Sequence, residues 1–212
     1  MRKNTKIQGL YAITDPALIN NNKLIDAVTQ AIEGGARIIQ YRNKQASPEL
    51  QLKQAQAIAQ ICKQYQVCFI INDDPQLARK INADGVHVGK DDGQIADARA
   101  ILGNEAIIGV SCYNRLENAL QAQADGADYI ALGRFFTSRT KPDAVQASLE
   151  LLSEVRQAID LPIVTIGGIK RDNARQLIEY GTDAIAVIYD LFHNTQNIKQ
   201  TAQEFQKLFE HQ

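Results

Sequence analysis

The sequence predicts a single (β/α)8 TIM barrel, and three observations carry that prediction. Eight short apolar runs recur along the 212 residues: "GLYAIT", "RIIQY", "CFIIN", "GVHVG", "AIIGVS", "YIALG", "PIVTIGG" and "AIAVI". Between them lie segments rich in alanine and glutamine with helical spacing, so strand and helix alternate throughout. Four joints from helix to strand look alike, "EGGARII", "ADGVHV", "ADGADYIAL" and "YGTDAIAV". Each is expected to end its helix on glycine, which tolerates the left-handed conformation after a last turn. Eight such units in about 200 residues favour a closed barrel over an open doubly wound sheet, which usually has fewer strands at this length.

The length bounds the answer to one domain, residues 1–212, with room for a large core. Apolar residues make up 45% of the chain, charged residues 22%, and the net charge is −1. That balance argues against nucleic acid or a membrane surface as a partner. The first seven residues are polar and basic and no signal-peptide run follows them. No later stretch approaches the roughly 18 apolar residues of a spanning helix. A cytoplasmic protein is expected. Cys62, Cys68 and Cys112 form no CxxC and are read as reduced thiols. The oligomeric state is left open, with a homo-oligomer compatible with the sequence.

In a barrel of this kind the C-terminal ends of the strands form the active face, so polar residues there carry the argument. The second strand ends "QYRNK", which in an extended chain puts Gln40, Arg42 and Lys44 on one face. After it, "PELQLKQAQAIAQICKQY" reads as a helix whose broad apolar face uses Leu50, Leu52, Ala55, Ala57, Ile58 and Ile61. The third strand ends "NDDP". Asp74 before Pro75 makes a good helix start, which leaves Asn72 and Asp73 without a structural task. The fourth strand ends "GVHVGKDD", adding Asp91 and Asp92, and carboxylates from neighbouring strand ends suit Mg²⁺ when phosphate oxygens and waters complete its octahedron. The same stretch is no P-loop: only three residues separate its glycines, and Asp follows the lysine. His87 lies inside the strand and reads as a hydrogen-bonded core residue.

The fifth strand is expected to end at Ser111, and the sixth runs into "GRFFTSRTKPDA", whose hydroxyls and Lys141 can cradle phosphate oxygens. The seventh ends "TIGGI" and the eighth "AVIYD"; barrels commonly bind phosphate after these two strands. The C-terminal "IKQTAQEFQKLFEHQ" aligns Ile198, Ala202, Phe205, Leu208 and Phe209 as a closing helix.

Taken together, "QYRNK", "NDD", "GVHVGKDD", "GVSC", "TSRTK", "IGGI" and "AVIY", in that order across nearly the whole chain, resemble the thiamine-phosphate synthase family. The resemblance implies a (β/α)8 enzyme. It would join 4-amino-2-methyl-5-hydroxymethylpyrimidine diphosphate to a thiazole phosphate, releasing pyrophosphate and thiamine phosphate. It further implies that Gln40, Tyr41, Arg42, Asn43, Lys44, Asn72, Ser111 and Lys141 bind the pyrimidine diphosphate. Asp73 and Asp92 would hold one Mg²⁺ per subunit. Ser138, Arg139, Thr140, Gly168, Ile188 and Tyr189 would meet the thiazole phosphate.

The chain departs from the commonest family pattern in Ser138 for threonine, Arg134 and Thr137 for prolines, Lys90 for glutamine and Tyr189 for serine. Two other readings stay open at this point: a thiazole tautomerase, which has no pyrophosphate to expel, and a non-catalytic barrel that binds phosphate ligands.

Overall fold

A computed structural model describes residues 6–89, 94–137 and 145–210. All eight expected strands form: β1 Gly9–Ile13, β2 Ile38–Tyr41, β3 Cys68–Asn72, β4 Gly85–Val88, β5 Ile107–Tyr113, β6 Tyr129–Gly133, β7 Ile163–Ile166 and β8 Ala184–Val187. Each pairs in parallel with the next, and β8 closes on β1 through the register Gly9↔Ala184 and Leu10↔Ile185. The helices between them are α1 Leu24–Glu33, α2 Pro48–Tyr65, α3 Pro75–Ile81, α4 Gln94–Leu102, α5 Leu116–Ala124, α6 Leu149–Ala158 and α7 Ala174–Glu179. A short α8, Tyr189–Phe192, and α9, Ile198–Lys207, follow β8.

Period-two alternation divides the core in two. Side chains such as Ile38, Ile70, Ile107, Val164 and Ala184 fill the barrel. Leu10, Ile39, Ile71, Val86, Ile108 and Ile185 point outward against the helices. The sequence signals for helix starts act as expected. Asp74 Oδ1 accepts from Leu77 N at 2.9 Å ahead of Pro75, and Ser47 and Ser148 cap α2 and α6 in the same way. In α9, Ile198, Ala202 and Phe205 are buried as the stripe requires, while Leu208 and Phe209 pack past its end. Cys62, Cys68 and Cys112 are buried thiols, and burial pushes the Cys62 thiol up to about 12.

Three expectations need correction. At "ADGVHV" the left-handed residue that ends α3 is Asn82, with φ 53°, and Gly85 already belongs to β4, where a Cβ would overlap the Ile107 carbonyl. β5 does not stop at Ser111 but runs to Tyr113 through a register irregularity against β6. In α2 the buried face includes Gln54 beside Ala55, Ile58 and Cys62, while Leu50, Leu52, Ala57 and Ile61 are half-buried.

The residue immediately before each of β4, β6 and β8 is an aspartate turned into the sheet. Asp84 Oδ2 accepts from Phe69 N at 2.9 Å, Asp128 Oδ2 from Ile108 N at 2.9 Å and Asp183 Oδ2 from Ile163 N at 2.8 Å. Each also pairs with a cation: Lys6 at 2.9 Å, Arg99 at 2.7 Å and Arg156 at 2.8 Å, respectively. Each carboxylate thus joins the N-terminal end of one strand to its neighbour.

Candidate active site

The mouth of the barrel opens on a cavity of about 450 Å³, within the range of small-molecule sites. Strand ends from around the barrel meet there. β2 brings Gln40 with Arg42 just beyond it, β3 brings Asn72, β5 brings Ser111, the loop after β7 brings Gly168, and Ile188 and Tyr189 follow β8. A larger groove of about 1280 Å³ lies at the opposite end, between α2, α3 and the strand starts. Asp84 and Lys6 there are paired with each other, and among the described residues no predicted site residue reaches that groove.

The stretch after Ile39 alternates as an extended chain must. Gln40 and Arg42 face the cavity, while Tyr41 and Asn43 turn outward to α2. Gln54 explains this: its buried Oε1 accepts from Tyr41 Oη at 2.7 Å and Asn43 Nδ2 at 3.1 Å, while Gln51 Nε2 donates to the Asn43 carbonyl at 2.8 Å. The side chains of Tyr41 and Asn43 thus hold the loop against α2 and point away from the cavity that Gln40 and Arg42 face. Burial pushes the Tyr41 phenol up to about 12, so it remains a donor.

The strand pattern ends before Lys44, which sits in a turn at the rim, its Nζ 2.7 Å from Asp73 Oδ2. Asp73 has φ 60° and donates its N–H to the His87 carbonyl at 2.8 Å, so its carboxylate projects at the mouth. Among the described residues no group of three or more His, Cys, Asp or Glu forms a metal cage. Lys90, Asp91, Asp92, Ser138, Arg139, Thr140 and Lys141 lie outside the described residues.

Gly168 is in the left-handed region, with φ 67°, and a Cβ there would overlap the Thr137 carbonyl; the loops after β6 and β7 touch backbone to backbone. The Asn173 amide donates to the Gly168 carbonyl at 3.1 Å and holds the turn. Tyr189 stacks on His193, with ring centroids 4.9 Å apart and planes 8° from parallel.

The sequence reading missed the floor of the cavity. Gln40 Nε2 donates to Tyr11 Oη at 2.8 Å, Tyr11 and Tyr129 share a hydrogen bond of 2.9 Å, Tyr129 Oη lies 2.9 Å from His87 Nδ1, and His87 Nε2 lies 2.9 Å from Ser111 Oγ. His87 is hydrogen-bonded, as expected, yet it also lines the cavity. One signal was present. Gly109 interrupts an apolar strand, and such glycines mark close approach; a Cβ there would overlap the Tyr129 ring.

Comparison with known proteins adds an independent line. The family model described as thiamine monophosphate synthase matches residues 10–191. A Nitrosococcus oceani protein named thiamine-phosphate synthase is 49% identical over 205 residues, covering 97% of this chain and 94% of its own. An Alcanivorax borkumensis protein of the same name is 51% identical over 190 residues, covering 90% and 88%. Among solved structures, a thiamine phosphate pyrophosphorylase from Pyrococcus furiosus has a TM-score of 0.88 at 35% identity, covering 98% of both chains.

Proposed function

We propose that this chain, which belongs to the thiamine monophosphate synthase family, joins 4-amino-2-methyl-5-hydroxymethylpyrimidine diphosphate to a thiazole phosphate, giving thiamine phosphate and pyrophosphate. It is a transferase of thiamine biosynthesis. One observation carries the reading: residues expected for the two substrates line one cavity, with Gln40, Arg42, Asn72 and Ser111 from the first set and Gly168, Ile188 and Tyr189 from the second. Two molecules that must form a bond need a shared space of this kind.

Breaking the bond between the pyrimidine methylene and the diphosphate oxygen leaves positive charge on the electron-rich ring and negative charge on the leaving group. The Arg42 guanidinium on the wall and Lys44 at the rim supply fixed positive charge for that leaving group. The thiazole nitrogen attacks with its own lone pair and loses no proton, so the reaction requires no general base. Holding the thiazole phosphate near Gly168 and Tyr189 would aim that nitrogen at the methylene.

Mg²⁺, one per subunit, is the cofactor this reading implies. Asp73 fits as a ligand, because a carboxylate exposed at the mouth is a hard oxygen donor that diphosphate oxygens and waters can supplement. Asp92 would be the other protein ligand. When bound, the ion neutralises charge on the diphosphate.

Protein mixed with both substrates and Mg²⁺ is expected to release pyrophosphate and thiamine phosphate in equal amounts, and neither substrate alone to do so. Absence of pyrophosphate would overturn the assignment. Turnover of the thiazole compound without the pyrimidine would mark a tautomerase.

A further inference from the structure

Among the described residues one exposed large apolar side chain lines the mouth of the cavity: Tyr113, which is 48% exposed. Ile25, Tyr65, Leu120, Val145 and Tyr180 are also exposed but lie elsewhere. We propose that Tyr113 stacks on the pyrimidine ring of the substrate and keeps water off the methylene carbon while that carbon carries positive charge. The inference rests on the function proposed above and adds a residue outside the expected set.

The backbone singles this residue out. Tyr113 has φ 55°, a left-handed value that Gly or Asn adopts at little cost and a bulky side chain rarely does. It ends β5 at the register irregularity against β6, and such irregularities re-aim side chains beside active sites. The residue before it is pinned. Cys112 is fully buried against the helices, and its carbonyl accepts from the Asn118 amide at 3.1 Å and from Arg115 N at 3.4 Å. The surroundings thus impose the conformation, while a ring half in water adds little burial that would explain a tyrosine there. An outlier held in this way beside a cavity points to a use for its side chain.

Its place fits the pyrimidine. Tyr113 lies two positions beyond Ser111 on β5, roughly 6–7 Å further toward the mouth, so a ring held at the level of Ser111 can lie beneath the phenol ring. Gly168, Ile188 and Tyr189 follow β7 and β8, neither of which neighbours β5. Tyr11, Tyr129 and His87 close the floor, which leaves the mouth as the way in for water. When the bond between methylene and oxygen breaks, its electron pair leaves with the diphosphate and the carbon accepts a pair from the thiazole nitrogen. Water arriving first would bond through its oxygen instead and lose a proton, giving the pyrimidine alcohol and no thiamine phosphate. An aromatic face over the ring blocks that path and also attracts the positive charge.

The test measures pyrophosphate, thiamine phosphate and the pyrimidine alcohol together, with both substrates and Mg²⁺, in wild type, Tyr113→Ala, Tyr113→Asn and Tyr113→Phe. Wild type should give pyrophosphate and thiamine phosphate in equal amounts. Tyr113→Ala and Tyr113→Asn should raise the ratio of pyrophosphate to thiamine phosphate by about twofold or more, the excess appearing as alcohol, whereas Tyr113→Phe keeps the ring and should stay near the wild-type ratio. In isotopically labelled water the alcohol should carry the label, because carbon and not phosphorus accepts the water oxygen. Tyr113→Asn suits the left-handed backbone and should melt no lower than wild type, which separates a leak from a loosened fold. An unchanged ratio in the alanine and asparagine variants, a phenylalanine variant that leaks as they do, or an unlabelled alcohol overturns the proposal. A clearly lower melting temperature for Tyr113→Asn would assign the ring to the fold and overturn it too. A wild type that releases no pyrophosphate overturns the underlying reaction itself, a distinct outcome.

Discussion

The two ends of the barrel use polar residues in opposite ways. At the N-terminal end, Asp84, Asp128 and Asp183 each receive a backbone N–H and a cation, so both kinds of bond are made within the protein. At the C-terminal end, Gln40, Arg42, Asn72 and Ser111 turn toward a cavity, and the Asp73 carboxylate meets Lys44 at the rim. The same residue type therefore stabilises one end and remains open to ligands at the other. Barrels of this fold separate stability from activity along their axis in this way. The repeat at the N-terminal end is broken once: before β2 the corresponding residue is Arg37, and there the large groove opens.

Substitutions at the two ends should therefore fail differently. The largest effect is expected from Gly168→Val at the mouth. A branched side chain is disfavoured at φ 67° and would push apart the loops after β6 and β7. The KM for thiazole phosphate should rise more than about tenfold, whereas Tyr189→Ser should change it only a few-fold if the backbone does the holding. Steady-state kinetics with the thiazole phosphate varied checks this pair. The reverse pattern would assign the binding to the phenol.

At the other end the damage should appear in stability and not in turnover. The Asp183 and Arg156 side chains are 9% and 17% exposed, so Asp183→Ala leaves a largely buried guanidinium and the Ile163 N–H without their carboxylate. About 3 kcal/mol of unfolding free energy should be lost. Asp84→Ala should cost only about 1 kcal/mol, because Asp84 and Lys6 are 32% and 60% exposed. Urea denaturation gives both values, and kcat of the folded fraction should match wild type. A lowered kcat with unchanged stability would break the division between the two ends.

The smallest effect concerns Arg171, which follows β7 and pairs with both Asp190 and Glu204. Its hydrogen bond holds the Glu204 carboxyl below the usual carboxylate range. The contribution of a depressed carboxylate is complete above its unfolded pKa and is lost as pH falls through the folded one. Glu204→Gln should lower Tm by about 1 °C or less near neutral pH, since the pair is largely exposed, and the difference should vanish in acid. Thermal melts across that range test it.

The sequence by itself determined the strands, the caps and much of the site's address, because those signals are local. An apolar run of five residues, an Asp before a Pro, or the alternation of Gln40 with Arg42 acts within a few bonds of backbone and survives in any fold that accepts the run. Even so, alternation left open which face looks inward, and only the buried Gln54 assigned Tyr41 and Asn43 to the helix side. Closure of the barrel decided the row of hydrogen bonds on the floor. Tyr11 and Tyr129 are 118 positions apart, and His87 is 42 from Tyr129, so no window of sequence contains the contact. Each of these side chains looks locally like an ordinary residue of a buried strand. Their chemistry depends on which neighbour completes a hydrogen bond in a space shielded from water, and that is settled only when eight strands from the whole chain enclose it.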